Sequence, residues 1–275
     1  MQTFAETKKF LQKFSKIEQE YSPLRQKTDT GLRVVSFNVH YAKDPLAVAQ
    51  AIKSDQNLSN ADVILLQEVE YHLKEGKGRA TQIAEHLGME CVYAPAAARS
   101  RKATHGLAIL TNYPIDQIEI IRLPFHVLGF KSRQRIALRI VLDTPNGKAQ
   151  VYNVHLDTRI NPKKRVEQLR AIMDNISAQE TMPTIIAGDL NTIQAWFIGG
   201  TLPVFFADQR KAVNEFFNEH GYATQTVKGY TMRQGFVRFK LDAIYVSGFD
   251  FMHSAVERGV QVSDHAPIWA DLQFV

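Results

Sequence analysis

Several residues and patterns that would fix a protein class at once are scarce in this sequence, and each shortage excludes something. A single cysteine, Cys91, in 275 residues rules out an intramolecular disulfide and any zinc cluster built on several thiolates, and it fits a reducing compartment. No apolar run approaches the roughly 20 residues needed to span a bilayer. Met1-Gln2-Thr3-Phe4-Ala5-Glu6 has neither a basic segment nor a continuous apolar one, so no secretory signal is visible and a soluble, cytoplasmic chain is expected. Gly, Pro and Ser are thinly spread, with no linker, no low-complexity stretch and no repeat of fixed period, which argues against solenoids and propellers.

What is present suffices for one large core: 45% of residues are hydrophobic, and one domain is the simpler organisation. Strand-like runs rich in β-branched residues occur at Leu32 to Val39, Asp62 to Gln67, Leu107 to Thr111, Ile136 to Leu142, Ala149 to Leu156, Thr184 to Ala187, Leu241 to Val246 and Pro267 to Phe274. Helical spacing marks Pro45 to Leu58, Arg79 to Leu87, Pro162 to Ala178 and Arg210 to His220, with Asn161-Pro162 reading as an N-cap and first helical position. Asp143-Thr144-Pro145-Asn146-Gly147 lies between two strand runs and demands an antiparallel hairpin. Strands and helices therefore mix without strict βαβ alternation, and the expected class is α/β (α+β), mixed sheets covered by helices. Residues 1–31 place Phe10, Leu11, Phe14, Ile17 and Tyr21 at helical spacing and are expected to form an N-terminal helical extension packed on a domain of residues 32–275.

Net charge is +5, with basic clusters at Arg99, Arg101 and Lys102, at Lys131, Arg133 and Arg135, and at Lys163, Lys164 and Arg165. A single cluster of this kind reads as solvated surface; several gathered on one face would suit an anionic partner.

The most informative segment is Gly188-Asp189-Leu190-Asn191, which ends the apolar run from Pro183 and sets a carboxylate and a carboxamide two residues apart where a buried strand surfaces. On its own it is a turn signal. The same grammar recurs, however. Asn38 and His40 close Val34 to Val39, Glu68 follows Leu65-Leu66-Gln67, and His155 follows Val151 to Val154. Asp242 interrupts Lys240 to Ile244, and Asp264-His265 precede Ala266-Pro267. An unpaired ionised carboxylate in a buried strand costs several kcal/mol, so these groups should meet one another. Several acids with an asparagine and no cysteine ligands form a hard, oxygen-rich set that selects Mg²⁺ or Mn²⁺ over zinc. The histidines add groups that exchange protons near neutral pH.

Phe37-Asn38, Leu66-Gln67-Glu68-Val69, Asn153-Val154-His155-Leu156, Gly188 to Asn191, Leu241-Asp242 and Ser263-Asp264-His265-Ala266-Pro267, in that order, resemble the endonuclease/exonuclease/phosphatase (DNase I-like) superfamily. The resemblance runs from about Leu32 to Val275 and implies a four-layer sandwich of two packed mixed β-sheets flanked by helices, with the site at one edge. It implies that Glu68 is the principal metal ligand, helped by Asn38 and by Asp264, and that Asp189 aligns or deprotonates the attacking water. Asn191 would hold a phosphate oxygen, Asp242 would orient His265, and His155 would stabilise the transition state or protonate the leaving group. His265 would bind the scissile phosphate or act as base, and the choice of base between Asp189 and His265 stays open. His40, His105, Arg135 and Trp196 are candidate substrate contacts.

The superfamily cleaves phosphoesters of nucleic acids, lipids and inositol phosphates alike. The basic clusters at Arg99 to Lys102 and Lys131 to Arg135 favour a nucleic-acid substrate for a chain acting as a monomer. The aromatic stretch Trp196 to Phe206 suggests instead a membrane-interface element and a sphingomyelinase-like activity on phospholipid or inositol phosphate. A non-catalytic module would lack ligands, and none is missing here.

Overall fold

The computed structural model describes residues 18–20, 31–127, 133–192, 195–198, 202–205, 209–225 and 227–275, with the side chains of 18–20 and 193–209 outside the description. The chain runs through β1 (Glu18–Glu20), β2 (Gly31–Tyr41), α1 (Pro45–Ser54), β3 (Val63–His72), α2 (Arg79–Leu87), β4 (Glu90–Ser100), β5 (Ala103–Thr111) and β6 (Ile115–Arg122). It continues through β7 (Ile136–Thr144), β8 (Gly147–His155), α3 (Pro162–Ser177), β9 (Thr184–Asp189), the hairpin β10 (Ala195–Ile198) and β11 (Leu202–Phe205), and α4 (Gln209–Glu219). β12 (Ala223–Thr224), the hairpin β13 (Met232–Gln234) and β14 (Val237–Phe239), β15 (Asp242–Ser247), β16 (Phe249–Val256) and β17 (Ile268–Phe274) complete it.

Two sheets carry the fold. The first is ordered β1-β4-β5-β3-β2-β17-β16 and the second β12-β15-β9-β8-β7-β6. Each contains one parallel pair at its centre, β2 with β3 and β8 with β9, and antiparallel neighbours elsewhere. The parallel pairs are those joined by a helical crossover, α1 in one sheet and α3 in the other, as parallel strands require.

Alternation along each strand sorts the side chains into layers. Leu32 and Val34 of β2, Val63 and Leu65 of β3, Ile140 and Leu142 of β7, Ile185 and Ala187 of β9 and Ile244 of β15 form one apolar layer between the sheets. Val35 and Phe37 face outward onto Val48, Ala49 and Ile52 of α1 and Ile83 of α2. Tyr152, Val154 and Ile186 face outward onto Leu169 and Ile172 of α3 and Phe217 of α4. The result is the four-layer α/β/β/α sandwich expected from the sequence.

Local signals largely decide the element ends. Asn161 caps α3, its side chain accepting from the Lys164 N–H at 3.0 Å with Pro162 in the first turn. The Thr144 to Gly147 turn joins β7 to β8 as an antiparallel hairpin. The expected helix to Leu58 stops at Ser54, because the Asp55 carboxylate takes the N–H groups of Asn57 and Leu58 and turns the chain. Within the N-terminal segment, β1 is a strand paired with Cys91 to Tyr93 of β4 rather than helix, covering that sheet's edge; the rest of the proposed helical extension lies outside the described residues. No helix among the described residues is long and apolar enough to cross a membrane.

Candidate active site

The inter-sheet layer is apolar through most of its length and polar at one end, and the change happens without a break in strand phase. On β2 the inward face reads Leu32, Val34, Ser36, Asn38; on β3, Val63, Leu65, Gln67; on β8, Ala149, Val151, Asn153, His155; on β9, Ile185, Ala187, Asp189. Period-two alternation alone therefore carries Asn38, His155 and Asp189 to one place. Side-chain hydrogen bonds cross between the sheets there: the Asn38 Nδ2 donates to Asp189 Oδ2 at 3.0 Å, and the Gln67 Nε2 donates to Asn153 Oδ1 at 2.8 Å. Asn153 in turn donates to the carbonyls of Leu66 and Ala108 at 2.9 and 2.8 Å, so a buried amide layer forms the site's floor.

Two residues reach the site by leaving the regular strand. Glu68 sits where the β3–β5 register slips between Leu66 and Val69, with φ of 60°. Asn191 follows β9 with φ of 51°, its N–H donating to Asp189 Oδ1 at 2.9 Å and its amide to the Leu156 carbonyl at 2.8 Å. The only other non-glycine residues with positive φ among the described residues are His40, Tyr41 and Ala42, at the same edge. Backbone strain is thus confined to one rim, as it is at functional sites. Gly188 is required sterically: its φ is 149°, and a Cβ there would stand 1.9 Å from the Val154 carbonyl oxygen. The tetrapeptide from Gly188 to Asn191 is accordingly a close approach of β9 to β8 followed by a strained turn, both aimed at the cleft.

Asp242 on β15 lies opposite Asp189 in register, and its Oδ2 holds His265 Nδ1 at 3.0 Å. His265 Nε2 then lies 3.9 Å from Asp189 Oδ2, and His155 Nε2 lies 3.6 Å from the same oxygen. Three imidazole nitrogens surround the Glu68 carboxylate beyond hydrogen-bond reach: His40 Nδ1 at 3.9 Å, His105 Nε2 at 4.0 Å and His155 Nε2 at 3.9 Å. Asp264 Oδ1 lies 3.4 Å from the same His40 nitrogen. The cleft encloses roughly 460 Å³ and is lined also by Arg133, Arg135, Arg159, Tyr41 and Phe239.

Burial and charge divide the titratable groups. Burial alone would raise the Glu68 carboxyl, but facing His105, His155 and Arg135 outweigh it and hold the group well below the usual carboxylate range. Asp189 moves the other way: burial, then the neighbouring Asp242 charge, push its carboxyl up to about 7. Burial would lower His265, yet Asp242 and Asp189 prevail and raise it to about 10. His155 is driven well below its ordinary value by burial and by Arg135. At neutral pH the site therefore holds an anionic Glu68, a His265 imidazolium, a neutral His155 and an Asp189 poised to exchange a proton.

The donor chemistry fits a hard divalent cation. Glu68 offers a carboxylate held anionic, and Asp264 offers a second beside the same His40 nitrogen. Asn38 is less free than expected, since its amide nitrogen is bound to Asp189 and its oxygen accepts from the His40 N–H at 3.1 Å. Asp189, Asp242 and His265 also offer ligand atoms within 4.8 Å of one another. In that group Asp242 Oδ2 and His265 Nδ1 hold each other, which leaves Asp242 Oδ1 and His265 Nε2.

All the expected residues except Trp196 are brought to this cleft or its wall. His105, read as a candidate substrate contact, is buried on β5 beside Glu68. Trp196 falls on β10, whose side chains lie outside the described residues, as do residues 199–201 and 206–208 altogether. The basic cluster at Lys163 to Arg165 is not all surface: Arg165 is buried and donates to the carbonyls of Asp157 and Ile160. Sequence reasoning missed Ser263, whose hydroxyl donates to the Asn38 carbonyl at 2.7 Å and ties the His265 loop to β2. It also missed Thr231, whose Oγ1 accepts from the Leu241 N–H at 2.9 Å. Thr231 carries no signal beyond being a hydroxyl residue near a turn, whereas Ser263 opens the Ser263 to Pro267 block without its own role being legible.

Carboxylates, amides and imidazoles converging in a basic cleft, at the open end of a two-sheet sandwich, define a hydrolase of phosphoester bonds. Residues 35–265 match the Endonuclease/Exonuclease/phosphatase family, and the chain belongs to it. Members of this family are phosphoester hydrolases, generally dependent on a divalent metal. A search of curated protein sequences finds no match. Among solved structures, the fold is similar to an endonuclease/exonuclease/phosphatase from Beutenbergia cavernae DSM 12333, with TM-score 0.70, 19% identity and 90% of this chain and 72% of that chain covered. It is also similar to ANGEL2, a 2',3'-cyclic phosphatase solved with adenosine-2',3'-vanadate, with TM-score 0.63, 16% identity and 94% and 99% covered. A mannosyl-6-phosphatase from Bacteroides thetaiotaomicron VPI-5482 gives TM-score 0.62, 17% identity and 88% and 100% covered. At these identities the likeness is one of fold.

Proposed function

We propose that the protein hydrolyses phosphodiester bonds of nucleic acid, using Mg²⁺ or Mn²⁺ and in-line attack of water. The observation that carries this reading is the convergence on one cleft of an anionic Glu68, the Asn38–Asp189–Asn191 hydrogen-bond chain and the Asp242–His265 pair. Glu68 and Asp264, with the Asn38 oxygen at their edge, would hold the cation. When bound, it supplies Lewis acidity and neutralises charge on the phosphoryl oxygens.

The remaining chemistry belongs to the chain. In this reading Asp189, its carboxyl raised by burial and by Asp242, takes the water proton, and His265, raised by Asp242 and Asp189, offers its Nε2–H to a phosphoryl oxygen. Asp242 fixes that tautomer and orientation from the opposite nitrogen. His155 is neutral and donates one N–H to the developing charge, while the Arg135 guanidinium beside it keeps it from protonating. Asn191 lines the same cleft wall, held by its own backbone bond to Asp189.

The nucleic-acid substrate is supported by Arg133 at the cleft, which suits a phosphate backbone, and by Phe239, which offers a flat face to a base. The named activities of the fold relatives, on a cyclic phosphate and on a sugar phosphate, keep the substrate a property of the loops. The test incubates protein and Mg²⁺ with plasmid DNA, single-stranded oligonucleotide, sphingomyelin vesicles and an inositol polyphosphate, with Glu68→Gln as the blank. Salt-sensitive cleavage of the nucleic acids, absent from the blank, is the expected result. Turnover confined to the vesicles or to the inositol polyphosphate would remove nucleic acid as the substrate and return attention to the β10–β11 hairpin as a lipid-facing element.

A further inference from the structure

Beside the catalytic cleft lies a second trough, on the other side of the β13–β14 hairpin. It is lined by Arg210, Lys240, Arg238 and Tyr230 and shares Phe239 with the cleft. The hairpin is stitched directly to the catalytic loop: Met232 bridges His265, the Arg233 N–H donates to the Asp264 carbonyl at 3.0 Å, and the Ala266 N–H donates to the Thr231 carbonyl at 2.6 Å. Trough and cleft are therefore fixed relative to each other.

The trough is cationic by construction. The Arg238 and Arg258 guanidiniums both lie over the Tyr230 ring, 4.9 and 5.6 Å from its centroid. Gly229 admits the second of these, since a Cβ there would stand 1.8 Å from Arg258 Nη1. The Lys240 ammonium is half-buried, donates to the Val227 carbonyl, and is pushed down by burial and by the nearby Arg210 charge. Among the described residues none of Arg238, Arg258 and Lys240 pairs with a carboxylate. Gathering Arg238, Arg258 and Lys240 with no carboxylate paired to them among the described residues costs free energy that an anion would offset.

We propose that this trough is a second phosphate subsite, taking a backbone phosphate next to the one being cleaved, with the strand crossing Phe239 between the two. The inference rests on the nucleic-acid reading above and deepens it: the preferred substrate carries at least two phosphates, and Arg238 and Lys240 set that preference. Neither residue lies in the catalytic cleft.

The test measures binding rather than turnover. Fluorescence anisotropy of a labelled single-stranded oligonucleotide is titrated against Glu68→Gln protein, alone and combined with Arg238→Gln, Lys240→Met or Arg238→Lys. Each neutral substitution removes about one phosphate contact, so affinity at low salt falls about tenfold and the slope of log affinity against log salt shrinks by about 1. Arg238→Lys regains most of the slope, which a merely structural role would not produce. Unchanged affinity and slope in both neutral variants, with thermal unfolding intact, overturn the subsite. Losses confined to an inositol polyphosphate titrated in the same way overturn its assignment to a nucleic-acid backbone. Hydrolysis of bis(p-nitrophenyl) phosphate by the unsubstituted protein reports separately on the reaction: if that ester is not cleaved but the salt slope still shrinks, the catalytic reading falls and the subsite stands.

Discussion

The two ends of the inter-sheet layer are built from the same strands in the same phase, yet one is a dry core and the other a reactive cleft. Ile140, Val151 and Ile185 pack at the first end; Asn38, His155 and Asp189 occupy the equivalent inward positions at the second. Chemistry here needs no separate platform. It needs only that inward positions change from apolar to polar as each strand nears its end, and that the polar groups satisfy one another across the gap. The core end is specified by volume and tolerates no void; the cleft end is specified by hydrogen bonds and charge, and tolerates strain at Glu68 and Asn191.

Substitutions can break this contrast from either side. The largest effect expected is that of Asp189→Asn: kcat on the cleaved substrate falls by about 10²–10⁴ with the loss of the general base. The same change leaves one acceptor for two donors, the Asn38 amide and the Asn191 N–H, so it costs about 1–3 kcal/mol of stability, less whatever relief of the repulsion with Asp242 returns. A fall in activity no larger than the unfolded fraction measured by denaturant unfolding would show that the residue is structural. Ile140→Ala is the mirror experiment, costing about 2–5 kcal/mol of stability through the cavity it leaves while kcat per folded molecule stays put. Gln67→Leu strikes the boundary between the two ends. Stranding Asn153 Oδ1 costs about 1–3 kcal/mol, and a fall in kcat should accompany it, because Glu68 adjoins Gln67.

The smallest effect is one of pH. His265 is raised above its ordinary value to about 10, so the folded protein binds more protons than the unfolded chain across that interval. The stabilisation from its bond to Asp242 is complete below the ordinary histidine range and is lost as pH rises towards about 10. Denaturation midpoints of metal-free protein should therefore drift down between neutral pH and about 10, and Asp242→Asn should flatten the drift. NMR titration of the His265 ring in that variant should return towards the ordinary histidine value.

Most of the site was legible in the sequence because phase carried it: Asn38, His155, Asp189 and Asp242 are strand residues whose polarity breaks an apolar pattern. Glu68 was legible as the acid that ends an apolar run, but the register slip that aims it leaves no periodic trace. The fold was less complete. β4 carries Pro95 and four alanines among its residues, β6 alternates isoleucine with charged groups at a half-exposed sheet edge, and β16 is largely exposed, so none stands out as an apolar run. The Arg165 and Arg135 side chains were read as surface because burial of a guanidinium depends on carbonyls and carboxylates contributed by distant strands and loops.

The crossing bonds Asn38–Asp189 and Gln67–Asn153 join groups contributed by different sheets. Glu68 belongs to one sheet, while Asp189, His155 and Asp242 belong to the other. The distance between charge-holding carboxylate and proton-accepting carboxylate is therefore the spacing of the sandwich itself. Anything that lets the sheets part at the cleft end, whether warming, pressure or a shaved side chain in the amide floor, reaches the reacting atoms as a change of length, and turnover becomes a ruler laid across that end of the fold.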